Sequence, residues 1–226
     1  MSRADMLAYL ADLSMHNERE WFHANKTRYT EATREFEALI GALMEELRKF
    51  DSQVPVVAPK ELTFKLMRDT RFSHDKSPYL PAFRAHIGPK GKLPIPVGYY
   101  ILVRPDGRSF LGGGLFADQF PDATRRIRDR IAAQGDQWEQ ILSAPEFRAC
   151  FTLGGTTLQR VPRGYDPNHP QAAFLRHKSW YLEYPVTDDQ VISPDFVPFA
   201  AEIFARMKDF HQFLNAALQD FQMPSR

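Results

Sequence analysis

A single cysteine, Cys150, supplies all the thiol chemistry of this 226-residue chain. That excludes an internal disulfide and any metal site built from several thiolates. Its neighbours Phe147, Ala149 and Phe151 are those of a buried thiol, and no activated thiol nucleophile is expected there. Excess charge of one sign is also absent: 29 Lys and Arg stand against 28 Asp and Glu, a net +1. No bulk field therefore draws the protein to nucleic acid or to an anionic membrane, and any preference for anions has to be local. No stretch approaches the ~20 apolar residues of a membrane span. The opening Met1-Ser2-Arg3-Ala4-Asp5-Met6 turns polar at once, unlike a secretory leader. A soluble, cytoplasmic protein without membrane contact is expected.

Familiar catalytic signatures are missing too. There is no Gly-x-Ser-x-Gly elbow, so no covalent nucleophile is visible. The Gly112-Gly113-Gly114 run lacks the Lys-Ser/Thr of a phosphate loop, and Asp118 and Asp122 follow it, where they would repel an anion. The seven histidines are scattered without the close His/acid spacing of a zinc helix. No metal and no cofactor are expected, and catalytic residues stay unassigned.

What is present is an ordinary globular composition, 43% hydrophobic and 25% charged, with 13% aromatic residues assigned first to core packing. Ser2 and Asp5 form a capping box ahead of Met6, Leu7, Leu10 and Leu13, and Asn17 with Glu20 starts the next helix. From Tyr29 on, Phe36, Leu39, Ile40, Leu43, Met44, Leu47 and Phe50 recur at three- and four-residue steps, which predicts a long helix with one buried face. Pro55 and Pro59 end it, and Leu62, Phe64 and Leu66 alternate as a half-buried strand with Arg68 at its edge.

Gly88–Pro94 interrupts both regular periods and predicts a positively charged loop. Gly98–Arg104 and Arg108–Phe116 flank Pro105-Asp106-Gly107, a hairpin. Asp118 or Asp122 caps a helix to about Ala133, its arginines 125, 126, 128 and 130 largely outward, and short helices follow over Trp138–Phe151. A short strand is predicted at Leu158–Val161. A final helix starts at Asp195, with Phe196, Phe199, Ile203, Met207, Phe210, Leu214 and Leu218 inward. Strands gathered in the middle and joined by hairpins predict an α+β fold: a mainly antiparallel central sheet bracketed by long N-terminal and C-terminal helices, one unit over residues 1–226.

The densest chemistry lies in Arg68-Asp69-Thr70-Arg71-Phe72-Ser73-His74-Asp75-Lys76-Ser77-Pro78-Tyr79, three cations and two carboxylates after a strand. Pro78 forces Ser77 toward an extended backbone, which constrains the turn. Arg68, Arg71 and Lys76 can converge on a phosphate or carboxylate with Asp69 and Asp75 orienting them. The same residues can instead pair internally and only pin the loop. A second region, Arg160–Pro170 continuing to Trp180, can bring Arg163 and Lys178 to the same anion, with Tyr165 or Trp180 stacking on a ring. These aromatics can equally cover the sheet, and His169 in its turn is a surface hydrogen-bonding group.

The run Arg68-Asp69-Thr70-Arg71-Phe72-Ser73 with Asp75-Lys76-Ser77-Pro78-Tyr79 resembles the signature of a family of conserved hypothetical proteins carrying a domain of unknown function. Glu20-Trp21-Phe22, Gly98-Tyr99-Tyr100, Gly112-Gly113-Gly114-Leu115 and Pro162-Arg163-Gly164-Tyr165-Asp166 with His169-Pro170 extend the resemblance over nearly the whole chain. It implies no particular activity. It also implies that Arg commonly stands where this chain has Lys65, so a two-pronged contact is not expected there. The leading expectation is an anionic small molecule or phosphoester bound at a local cationic pocket, in a protein that acts as an enzyme or only as a binder. The alternative is a non-catalytic interaction module in which the charged turn is structural and an aromatic patch meets a protein partner. Nucleic acid, drawing on the Arg125–Arg130 helix, ranks last at a net charge of +1.

Overall fold

The computed structural model describes residues 1–71, 73–116 and 120–224. Ser2 caps α1 (Arg3–Met15) through the expected box: its hydroxyl accepts from the Asp5 amide at 3.2 Å, and the Asp5 carboxylate accepts from the Ser2 amide at 2.8 Å. Helices α2 (Arg19–Ala24) and α3 (Lys26–Arg48) follow. α3 presents Phe36, Leu39, Ile40, Leu43, Met44 and Leu47 to the core, as its spacing predicted. Asn17, expected to start the second helix, does not cap it: α2 begins after Glu18, and the Asn17 side chain serves a distant segment instead.

Five strands, β1 (Thr63–Phe64), β2 (Phe83–Ile87), β3 (Tyr99–Val103), β4 (Ser109–Leu115) and β5 (Trp180–Val186), pair in sequence order and antiparallel throughout. The fold is thus α+β with an antiparallel sheet and helical termini. Between β4 and β5 run α4 (Pro121–Ala133), α5 (Gly135–Ser143), α6 (Pro145–Cys150) and α7 (Ala172–Leu175). After β5 come α8 (Asp188–Ile192), α9 (Phe196–Ala205) and α10 (Lys208–Ala217).

α3, α9 and α10 cover one face of the sheet, where Phe36 stacks on Phe83 at 5.2 Å and Phe204 packs on Tyr99 at 5.2 Å. Side chains alternate across the strands. Phe83, Ala85, Ile87, Ile101, Leu111 and Leu182 enter this core, while Arg84, Tyr100, Leu102, Phe110 and Glu183 stand on the opposite, open face.

Several local expectations need correction. The final helix breaks after Ala205, because α9 follows α3 whereas α10 turns to meet α4, α5 and β4. No strand forms at Leu158–Val161: pairing there is limited to the Thr157–His177 bridge and a 2.8 Å bond from the Leu158 amide to the Arg176 carbonyl, with Pro162 close behind. Phe120, not Asp122, is the residue at the N-cap of α4, and Asp118 lies outside the described residues. Asp195 holds the N-cap position of α9 without a side-chain bond. Of the four α4 arginines, two turn inward: Arg128 donates to the His177 carbonyl at 2.7 Å and Arg130 lies 4.8 Å over the Phe213 ring.

Candidate functional site

The signature turn begins where β1 runs out. Met67 pairs with Tyr79, the Arg68 amide donates to the Pro78 carbonyl at 2.9 Å, and the Leu80 amide to the Leu66 carbonyl at 2.7 Å. Residues 68–78 are therefore a closed excursion whose ends are tied together. Inside it, one Asp75 oxygen accepts from the Ser77 amide at 2.9 Å and the Ser77 hydroxyl at 2.6 Å, and its other oxygen takes the Arg68 guanidinium. Arg68 also reaches the Ser77 carbonyl and the Ser73 hydroxyl, both at 3.4 Å. Asp69 accepts from Arg71 side-on, at 2.9 Å from Nε and 2.6 Å from Nη2. Lys76 Nζ donates to the Thr70 carbonyl at 3.0 Å. Phe72 of the signature lies outside the described residues.

The electrostatics follow these bonds. The Ser77 hydroxyl and amide, and then Arg68, hold the Asp75 carboxyl well below the usual carboxylate range. The Arg71 side chain and amide lower that of Asp69. Both carboxylates in the turn thus spend their charge on the turn's own cations.

Facing the turn are α2 and the start of α3, and between them opens a cleft of about 640 Å³. Arg68 and Lys76 line it from the turn, and Arg19, His23 and Lys26 from the helices; among the described residues no Asp or Glu lines it. Its wall is aromatic: Phe22 stacks on Tyr79 at 4.1 Å and 12°, with Tyr29 4.9 Å from Phe22. Arg19, His23 and Lys26 escaped the sequence reading. The usable signal was the four-residue step from Arg19 to His23, which puts both on one helical face, with Lys26 opening the next helix.

The structure gathers only some of the expected residues. Arg68 and Lys76 line the cleft, whereas Asp69, Arg71 and Asp75 are part of the turn but not of the lining. Arg163 and Lys178 belong elsewhere. Lys178 directly precedes β5, and Arg68 follows β1, on opposite edges of the sheet. Strand spacing separates those edges by about 19 Å. The Lys178 carbonyl accepts from Thr124 of α4 at 3.1 Å, and Tyr165 donates to Asp129 of α4 at 2.6 Å. Burial and the Asp129 bond push the Tyr165 phenol up to about 12. Trp180 is wholly buried and so packs the core instead of stacking on a ligand.

Cys150 also differs from expectation. It is only half-buried, and Arg206, remote in sequence, donates to its sulfur at 2.8 Å. Among the described residues no cluster of three or more His, Cys, Asp or Glu is placed to hold a metal ion, and no helix is long and apolar enough to cross a membrane.

A sequential antiparallel meander with helices on one face, and a tied, charge-dense turn at its first edge facing a basic cleft, defines the architecture. The chain belongs to the family described as Conserved hypothetical protein (DUF2461), whose model matches residues 5–213 and so takes in the turn, the cleft and the sheet. No curated protein and no solved structure matches the chain.

Proposed function

We propose that the cleft between α2–α3 and the signature turn binds an anionic small molecule, a phosphate monoester or a carboxylate. The observation that supports this reading is its lining: Arg19, His23, Lys26 and Lys76, with Arg68 held by Asp75 at the edge of the turn, face one concave space that no Asp or Glu lines among the described residues. Arg offers a planar donor fork and Lys a compact charge, the two donor types such groups take. Tyr29, Phe22 and Tyr79 supply an apolar wall for the rest of the ligand. Asp69, Arg71 and Asp75 act as framework, since their charges are consumed in holding the turn. A lone unpaired cysteine suits a reducing compartment, which supports a cytoplasmic setting.

The test is thermal unfolding of the full chain with inorganic phosphate, sugar phosphates, nucleotides and dicarboxylates at fixed ionic strength, beside Lys26→Ala and Lys76→Ala. A ligand of the folded state at ~100-fold excess over Kd adds about 2.7 kcal/mol. One compound class should raise Tm by several degrees, and Lys26→Ala, an exposed position, should abolish the rise while leaving the unliganded Tm in place. Absence of any shift across the panel, or a shift indifferent to both variants, would sink the proposal.

A further inference from the structure

The open face of the sheet carries a second concave site, unrelated to the cationic cleft. Cross-strand register aligns two rows on it. Phe64, Arg84, Leu102, Phe110 and Pro185 form one, and His86, Tyr100, Gly112 and Glu183 form the other. Gly112 leaves the middle of the second row without a side chain. A Cβ there would lie 3.3 Å from both the Phe110 and the Phe116 rings and 2.7 Å from the Leu182 carbonyl. Those two rings close over Gly112, and beside them opens a trough of about 290 Å³ with Gly114 in its lining.

Its walls are rings. Tyr100 lies 5.8 Å from Phe110 and 5.6 Å from Phe116, and Phe116 stacks on Tyr181 at 4.6 Å and 18°. Phe116 is nonetheless 39% exposed, a large apolar side chain that the protein leaves open to solvent. Phe64 closes one end, with the Arg84 guanidinium 5.4 Å and the Lys92 ammonium 6.0 Å from its ring centre.

Three polar groups, His86, Lys92 and Glu183, stand in this lining. His86 is only 7% exposed, and its Nδ1, which has no hydrogen-bond partner, is buried beside Gly88 and does not open to the trough. Burial lowers its pKa to about 4, so the ring is neutral at neutral pH. Glu183, at the far end of the same row, forms no ion pair among the described residues, and desolvation raises its carboxyl above the usual range. Three strand spacings, about 14 Å, separate their backbones.

We infer that this trough, walled by Tyr100, Phe110 and Phe116 with Gly114 in its lining, is a binding site for a planar, amino-substituted heteroaromatic molecule whose amine meets Glu183. Offset stacking on the rings accounts for planarity. Ionised, Glu183 only accepts, so an amine donor is the group it prefers. A carboxylate at that end of the ligand would meet Glu183 with like-charge repulsion.

The experiment uses the full chain and free bases as probes: adenine, guanine, cytosine and 2-aminobenzimidazole, with benzoate and glucose as controls. Binding is followed by tyrosine fluorescence and by the imidazole nitrogen shifts of His86. At least one amino-heteroaromatic should bind and perturb His86. Phe116→Ala should weaken it tenfold or more, and Glu183→Gln several-fold, the latter with unliganded stability unchanged. Lys26→Ala should leave it unaffected, which separates this site from the cationic cleft. No binding by any base at millimolar concentration, tighter binding of benzoate, or a dimer that Phe116→Ala dissociates would each overturn the inference.

Discussion

Asn17 clamps Tyr79 across 62 residues of sequence: its side-chain nitrogen donates to the Tyr79 carbonyl at 2.9 Å and its oxygen accepts from the Tyr79 amide at 3.1 Å. The α1–α2 junction thereby fixes the last residue of the signature turn, and with it the cleft wall where Phe22 stacks on Tyr79. Asn17→Ala removes both bonds and leaves a part-buried backbone pair without partners. At about 1 kcal/mol per bond, more where a buried group is orphaned, the loss should be about 2–3 kcal/mol. Urea unfolding measures it, and a loss under 0.5 kcal/mol would show that water replaces the clamp. Asn17→Asp keeps the acceptor and loses the donor, so it should fall between.

The turn should make stability depend on acid. Asp75 has a folded pKa depressed below its ordinary 3.8, so its contribution is present above that value and fades as the pH falls further. Asp69 behaves alike through Arg71. Asp75→Asn should therefore flatten the decline of Tm below about pH 4. Its Tm at neutral pH should drop as well, because Arg68 loses its carboxylate. A parallel pair of Tm–pH curves for variant and wild type would contradict the assignment.

Helical periodicity carried most of the legible fold. α3 needed only the spacing of Phe36, Leu39, Ile40, Leu43 and Leu47, since a stripe at that step can be buried only by a helix. β3 and β4 were legible from the turn residues between them. β2 and β5 were not: Phe83-Arg84-Ala85-His86-Ile87, though bounded by Pro81 and Gly88-Pro89, has one β-branched residue, and Trp180–Val186 contains Pro185, which demotes a strand unless it lies at an edge, as β5 does.

The turn was legible as a charge cluster, but its partners were not. Arg19, His23 and Lys26 lie more than forty residues upstream and meet Arg68 only because Asn17 ties the two segments together. The trough was invisible for a related reason. Its residues come from all five strands and the segments beside them, and only register sets His86, Tyr100, Gly112 and Glu183 in line. Likewise the cation at Cys150 is not its sequence neighbour Arg148 but Arg206, which the fold brings there.

Two buried histidines should add a second, milder pH dependence. Burial lowers His86 to about 4 and His211 to about 3, the latter also through the nearby His86. A buried neutral histidine stabilises above its unfolded value of about 6.5, and the contribution is lost as pH falls toward the folded value. Between pH 7 and pH 5 each accounts for up to about 2 kcal/mol. His86→Gln should remove its share of the fall in urea stability over that interval. An unchanged fall would place His86 in contact with water and relieve its pKa shift.

The glycine run of β4 is explained by its neighbours, with no need for a phosphate loop. Gly113 faces the helices, and a Cβ there would sit 2.2 Å from His211 Nε2 and 3.0 Å from the Gly98 carbonyl. His211 lies flat enough against the sheet to reach 4.9 Å from the Tyr99 ring, a position open to it only because residue 113 has no side chain. Gly113→Ala should cost about 1–3 kcal/mol, the usual range for overpacking a full core. Since the clash is with one ring, His211→Ala in the same chain should absorb part of it. A double-mutant cycle would then give a coupling of about 1 kcal/mol or more. Strict additivity would move the origin of the cost to the backbone contact with Gly98.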